Sequence, residues 1–164
     1  LLDLGHQRIS FLSRRQLRLP KPGKPTMAFL KELEAAGIAT GAFNIPDWEE
    51  NQGGFQKVLD SLYGITPPTG LIIDEAFLFH AAYHSLSQRG LRVPQDVSLV
   101  CTDYDPGFGW CEPSVAHIRW DYQPITARVV RWASNVSRGR TDRRQTLTKA
   151  EFVEGGTIGP APKA

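Results

Sequence analysis

Long apolar runs are missing from this sequence. None approaches the roughly 20 residues that cross a bilayer, and the first residues lack the extended apolar core of a secretion signal. No membrane span is expected. Cysteine is scarce: Cys101 and Cys111 stand alone, spaced neither as metal ligands nor densely enough for a disulfide scaffold, which fits a reducing cytoplasm. An excess of one charge is missing too, because a formal net charge of +2 is too slight for a nucleic-acid footprint.

Enzyme signatures are equally thin. Neither GxSxG nor GxGxxG occurs, and the nearest thing to a phosphate loop, Gly23, Lys24 and Thr26, is interrupted by Pro25. His80 and His84 are four apart, able to share a helix face, but Ala81 stands where the zinc motif needs Glu. Neither catalysis, a metal nor a cofactor is expected. What is present is ordinary for one globular domain with a real core: 164 residues, 41% hydrophobic and 22% charged.

The order of elements predicts the architecture. Arg8 to Ser13 (RISFLS) reads as a buried strand, followed by a basic, proline-rich loop, RRQLRLPKPGKP. A helix is expected from Thr26 to Ala36, with Phe29, Leu30 and Leu33 inward and Gly37 ending it. ATGAFNI reads as the second strand, and IPDWEENQGG as the loop that opens a helix around Phe55 to Leu62. Leu71 to Ile73 forms the next strand. Leu78, Ala82 and Leu86 then recur at helical spacing, with Phe79 and Tyr83 on the adjoining face and Gly90 at the stop.

Val97 to Val100 has the β-branched character of a buried strand. Strands alternating with helices predict an α/β fold: a mainly parallel, doubly wound sheet with helices on both faces. Beyond Asp103, DPGFGWCEP reads as a loop, SVAHIRW as an exposed or crossing strand, QTLTKAEFVEG as a last strand and GGTIGPAPKA as a tail. Between the last two strands, Ile125 to Arg138 is amphipathic, with Val129, Trp132, Ala133 and Val136 opposite Arg128, Arg131, Asn135 and Arg138.

In open α/β sheets ligands bind beyond the carboxyl ends of the strands. Asp74 and Glu75 end one strand and Asp103 the next. Asp74 also suits a helix cap, and Asp103 a turn former. Trp48, among Pro, Asp, Glu and Asn, reads as a loop aromatic, and Arg14, Arg15, Arg18 and Lys24 as a basic wall or a solvated surface.

GLRVPQDVSLVCTD, with PPTGLII before it, LGHQRISFL near the start, AFLKELEAAGI, DWEENQGGFQKVL and the closing EFVEGGTIGPAP, resembles the effector-binding domain of the LacI/GalR family of bacterial transcription regulators. The likeness covers nearly the whole chain in order. It implies a periplasmic-binding-protein-like subdomain, residues 1–164 forming the C-terminal part of an effector-binding and dimerisation domain. It also implies that a DNA-binding module and an N-terminal subdomain lie outside this chain, and that residues 122–142 belong to the crossover and that other subdomain.

The resemblance also implies a site. Asp103 would face the effector cleft, Trp48 would stack on the effector, Glu75 with Asp74 would accept hydrogen bonds, and Arg18 or Lys24 would supply a cation. In this family an Asn-Asp pair stands near Glu75 and Ala76, a Gly at Cys101 and an Arg near Pro25; the departures here imply an effector unlike that of the better-known sugar responders. His80, Tyr83, His84, Phe108 and Trp110 would lie near a homodimer contact. The function implied is a cytoplasmic sensor of a small effector, a sugar, controlling a dimer's DNA binding. A periplasmic-type sugar-binding protein and a small α/β enzyme using Asp103 and Glu75 are the rival readings.

Overall fold

A computed structural model describes residues 1–163. β1 (Ile9–Leu12) leads through a short helix, α1 (Arg15–Arg18), into α2 (Lys24–Ala35) and α3 (Gln52–Gly64). Then come β2 (Gly70–Ile73), α4 (Ala76–Gln88), β3 (Ser98–Cys101), a 3-10 turn at Pro106–Trp110, β4 (Ala116–Trp120), α5 (Tyr122–Ser137) and β5 (Ala150–Val153). The sheet runs in the order β1-β2-β3-β4-β5, with β1 to β4 parallel and β5 antiparallel to β4. This is the mainly parallel α/β architecture expected from the alternation of strand and helix.

Side-chain alternation along the strands divides the molecule into two layers. Leu12, Leu71, Ile73, Leu99 and Cys101 point to one face, where Phe55, Leu59, Phe79, Ala82 and Leu86 of α3 and α4 close the core. Ile9, Phe11, Ile72 and Val100 point to the other, where Phe29 and Leu33 of α2 meet them. The Phe11 and Phe29 rings meet edge to face at 5.6 Å. Thr157, in the expected tail, stitches the sheet where β3 and β4 diverge: its Oγ1 donates to the Leu99 carbonyl at 2.7 Å and accepts from the Ala116 N–H at 2.9 Å.

Four expectations are corrected. The stretch read as a proline-rich loop, RRQLRLPKPGKP, holds the short helix α1 at Arg15–Arg18 before its prolines, and α2 begins at Lys24 with Pro25 in its first turn, where a missing N–H costs nothing. ATGAFNI forms no strand; Gly41 and Asn44 close a turn through the Gly41 N–H to Asn44 Oδ1 bond of 2.9 Å. Asn44 then reaches β1 with its side chain (Nδ2 to the Ile9 carbonyl, 2.9 Å) and its carbonyl (from the Phe11 N–H, 2.7 Å), so the segment covers the sheet edge without extending the ladder. Asp74 does not cap α4: Glu75 holds the N-cap position and makes no side-chain cap bond. SVAHIRW is no free crossing strand at its start, because Val115, Ala116 and His117 are buried between β3 and β5.

The helix expected from Ile125 begins at Tyr122, capped by Asp121 through the Gln123 N–H. None of its residues is buried, and Val129, Val130, Trp132 and Val136 are all exposed. Its return connection is held by Asp142, which accepts from Arg128 at 2.7 and 3.1 Å and from Asn135 at 2.8 Å.

Candidate ligand-binding site at the carboxyl edge of the sheet

β1, β2 and β3 end together, and the chain turns outward at each end, which brings Arg14, the pair Asp74 and Glu75, and Asp103 to one edge. A cavity of about 550 Å³ opens there. Asp74, Glu75, Thr102 and Asp103 supply its polar wall; Phe11, Leu17, Pro25, Phe29, Ile72, Ile118 and Trp120 supply the apolar one. Apolar walls with few convergent polar groups are the usual form of a small-molecule site.

Asp74 is the most constrained of these side chains. It is 8% exposed, its Oδ2 accepts the backbone N–H of Arg14, and its Oδ1 has no partner. Burial pushes its pKa up to about 6, the Arg14 N–H opposing and the neighbouring Glu75 charge adding to the shift. Glu75 is half-buried and faces the Arg14 guanidinium at 3.5 Å. Arg14 also pairs with Glu50 at 3.1 Å and lies 5.9 Å from the centre of the Phe77 ring. Cys101, the last residue of β3, is fully buried, and its thiol is pushed up to about 12 chiefly by burial; it takes the sheet's core face, away from the cavity.

Of the site residues expected from sequence, Asp74, Glu75 and Asp103 come together in this cavity, whereas Trp48, Arg18 and Lys24 are not among its lining residues. Trp48, read from the sequence as a loop aromatic, is only 9% exposed. Its indole N–H donates to the Ser13 carbonyl at 3.1 Å and its ring meets Phe55 at 5.4 Å, so both ends of the side chain are satisfied inside. It borders a separate cavity between α3 and the loop before it. Arg18 is buried as well, donating to the Ser13 carbonyl (2.8 Å), to the Trp48 carbonyl (3.0 Å) and to Asp47. Lys24 is exposed in the first turn of α2. The cation at the rim is Arg14.

Trp120 and Ile118 were not singled out from sequence as site residues. Their period-2 spacing on β4 was the available signal, since it sets both on the face that carries Phe11 and Ile72. On the opposite side of the molecule, His80 and His84 are exposed on α4 and Tyr83 is half-buried. Phe108 is not an exposed aromatic: it is 3% exposed, wedged 5.4 Å from Phe79 and 5.2 Å from His117. That wedge pins the 3-10 turn and leaves Trp110 outside, 92% exposed. Among the described residues no group of three His, Cys, Asp or Glu side chains could hold a metal ion, and no helix is long and apolar enough to cross a membrane.

A parallel sheet with its polar residues gathered at the carboxyl edge agrees with a family match over residues 1–158, to the periplasmic binding protein-like domain. The chain belongs to the periplasmic binding protein-like domain family. The chain is similar to the HTH-type transcriptional repressor PurR of Pasteurella multocida, 26% identical over 137 residues, 79% of this chain and 39% of that protein. The chain thus spans about two fifths of that relative's length. Two solved structures share the fold. A LacI family regulator from Mycobacterium smegmatis has a TM-score of 0.77 at 21% identity, covering 99% of this chain and 61% of that one. A LacI family regulator from Enterococcus faecium with bound ribose has a TM-score of 0.74 at 18% identity, covering 98% and 60%. The LacI/GalR-type effector-binding domain implied by the sequence phrases is supported by these relatives.

Proposed function

We propose that this periplasmic binding protein-like domain is the effector-sensing and dimerisation part of a LacI/GalR-type transcription regulator acting in the cytoplasm, and not an enzyme. A small molecule, a sugar in the first instance, would bind at the carboxyl edge and be enclosed by a second subdomain. One observation carries the reading: Asp74, Glu75 and Asp103 line a single cavity of about 550 Å³ whose other wall is Phe11, Ile118 and Trp120. Carboxylate oxygens accept hydrogen bonds from ring hydroxyls while aromatic faces cover the ring's apolar surface.

The ribose in the Enterococcus faecium relative supports the sugar class. The exposed apolar side of α5 supports a second subdomain, with residues 122–142 belonging to the crossover. Effector binding would favour one orientation of the two subdomains and so alter the spacing of DNA-binding modules in a homodimer. His80, Tyr83, His84, Phe108 and Trp110 remain the proposed dimer side, with Phe108 contributing from beneath the surface. For the ligand side, Asp103, Glu75 and Asp74 would be the direct contacts, Trp48 and Arg18 would act through the loop they hold in place, and Lys24 from the first turn of α2, next to the lining residue Pro25.

The test is isothermal titration of the intact regulator with pentoses, hexoses and nucleobases, repeated with Asp103→Ala. Micromolar binding of a sugar that weakens at least tenfold in the variant supports the reading. Binding that is indifferent to Asp103→Ala overturns the site, and turnover of the sugar overturns the sensor role.

A further inference from the structure

Charge at the cavity is one-sided. Three carboxylates, Asp74, Glu75 and Asp103, line it, and among the described residues no Lys or Arg does. The rim cation, Arg14, is already shared between Glu50 and Glu75. Arg18 spends its donors on the Ser13 and Trp48 carbonyls and on Asp47. One acceptor is moreover unfilled: Asp74 lines the cavity, is 8% exposed, and its buried Oδ1 has no partner among the described residues. A buried acceptor without a donor is costly, and the cost is recovered when a ligand supplies one.

We propose that the effector is an amino sugar, a hydroxylated ring bearing a protonated amine, whose ammonium donates to the Asp74 carboxylate and pairs with Asp103 or Glu75. The inference rests on the small-effector reading above and names the chemistry its site selects. An ammonium offers three donors and no acceptor, which matches a wall of acceptors, and its charge-assisted bonds are stronger than those of a neutral hydroxyl. The ring's hydroxyls take the remaining carboxylate oxygens, and its apolar face lies against Trp120. Phosphorylated sugars meet uncompensated carboxylates and are disfavoured. A bare metal ion is disfavoured too, because these side chains form no metal-ligating group among the described residues.

The experiment is isothermal titration of the intact regulator at pH 7.5 with glucosamine and galactosamine, their neutral parents glucose and galactose, N-acetylglucosamine and glucose 6-phosphate. The expected result is that an amino sugar binds at least tenfold more tightly than its parent, that N-acetylation removes the gain, and that Asp74→Asn brings amine and parent to within about threefold of one another. Asp103→Asn, which leaves Asp74 in place, serves as a second variant and should narrow the same ratio. Tighter binding of a neutral sugar or of the phosphate overturns the proposal while leaving the sugar-sensing reading intact. Failure of every sugar to bind overturns both.

Discussion

The backbone N–H of Arg14, just past β1, donates to the carboxylate of Asp74 at the end of β2. The bond fastens the ends of two strands beside the cavity that Asp74 lines, and it leaves the second Asp74 oxygen buried and, among the described residues, unpartnered. Burial, which this bond only partly offsets, makes Asp74 a group whose ionisation opposes folding. Its folded pKa of about 6 lies above the ordinary 3.8. Above pH 6 the buried charge destabilises the fold, and as pH falls from about 6 toward 4 the folded state takes up a proton first and stability rises.

Urea denaturation between pH 4.5 and 7.5 should therefore show a component, at most about 3 kcal/mol at one pKa unit per 1.36 kcal/mol, that favours the lower pH. Arg14, Glu75, Glu50 and Asp103 face the same region and contribute their own dependence. Asp74→Asn isolates the component, since it keeps the acceptor for Arg14 and removes the charge. An unchanged difference in stability between pH 7.5 and 5 in that variant would locate the effect elsewhere.

Trp48→Ala should lower stability by about 3–5 kcal/mol, the cost of emptying a buried aromatic site, because the ring packs on Phe55 and lies 5.5 Å from the Arg18 guanidinium. Trp48→Phe keeps an aromatic ring against Phe55 and should cost less, about 1 kcal/mol for the bond to the Ser13 carbonyl together with the smaller volume it vacates. Equilibrium denaturation separates the two. A Trp48→Ala protein as stable as wild type would mean that the ring sits in solvent and is free to stack on a ligand.

Arg18→Met keeps the stem and removes the guanidinium that ties α1 to the loop carrying Asp47 and Trp48. The Ser13 and Trp48 carbonyls each lose a donor, so a loss of roughly 2–4 kcal/mol is expected. Hydrogen exchange should rise across residues 46–50 before it rises in β2 or β3. Uniform exchange in both regions would show that the guanidinium does not hold this loop.

Val129→Glu with Trp132→Glu should leave the melting temperature of the isolated chain within about 2 °C, since both side chains are exposed and exposed substitutions usually shift stability by less than about 0.5 kcal/mol. Self-association seen by sedimentation velocity should fall. In the intact regulator the same pair should destabilise, because a second subdomain would cover this face. Equal tolerance in both forms would remove α5 from any subdomain contact.

Much of the cavity's polar wall was legible because it depends on local order. An apolar run followed by Asp74 and Glu75, and another followed by Asp103, can be read as strand ends from composition, and parallel connection then sets both ends on one edge. The α4 stripe of Leu78, Ala82 and Leu86 is legible for the same reason, its period being fixed by helix geometry. Which of several cations turns toward the site is not a local matter. Arg14 and Arg18 are four apart in one basic stretch, yet Arg14 reaches Glu75, 61 residues away, while Arg18 is captured by the carbonyls of Ser13 and Trp48.

The sequence by itself determined the alternation of strand and helix, the edge on which Asp74, Glu75 and Asp103 gather, and the amphipathic character of α5, all of which follow from short-range periodicity and turn chemistry. Only the tertiary structure decided that ATGAFNI hangs on β1 through Asn44, that Trp48 and Phe108 are buried, and that Arg14 guards the rim. Each of these depends on partners 29 to 61 residues distant along the chain, whose carbonyls, rings and carboxylates become neighbours only when the sheet and its covering helices have assembled.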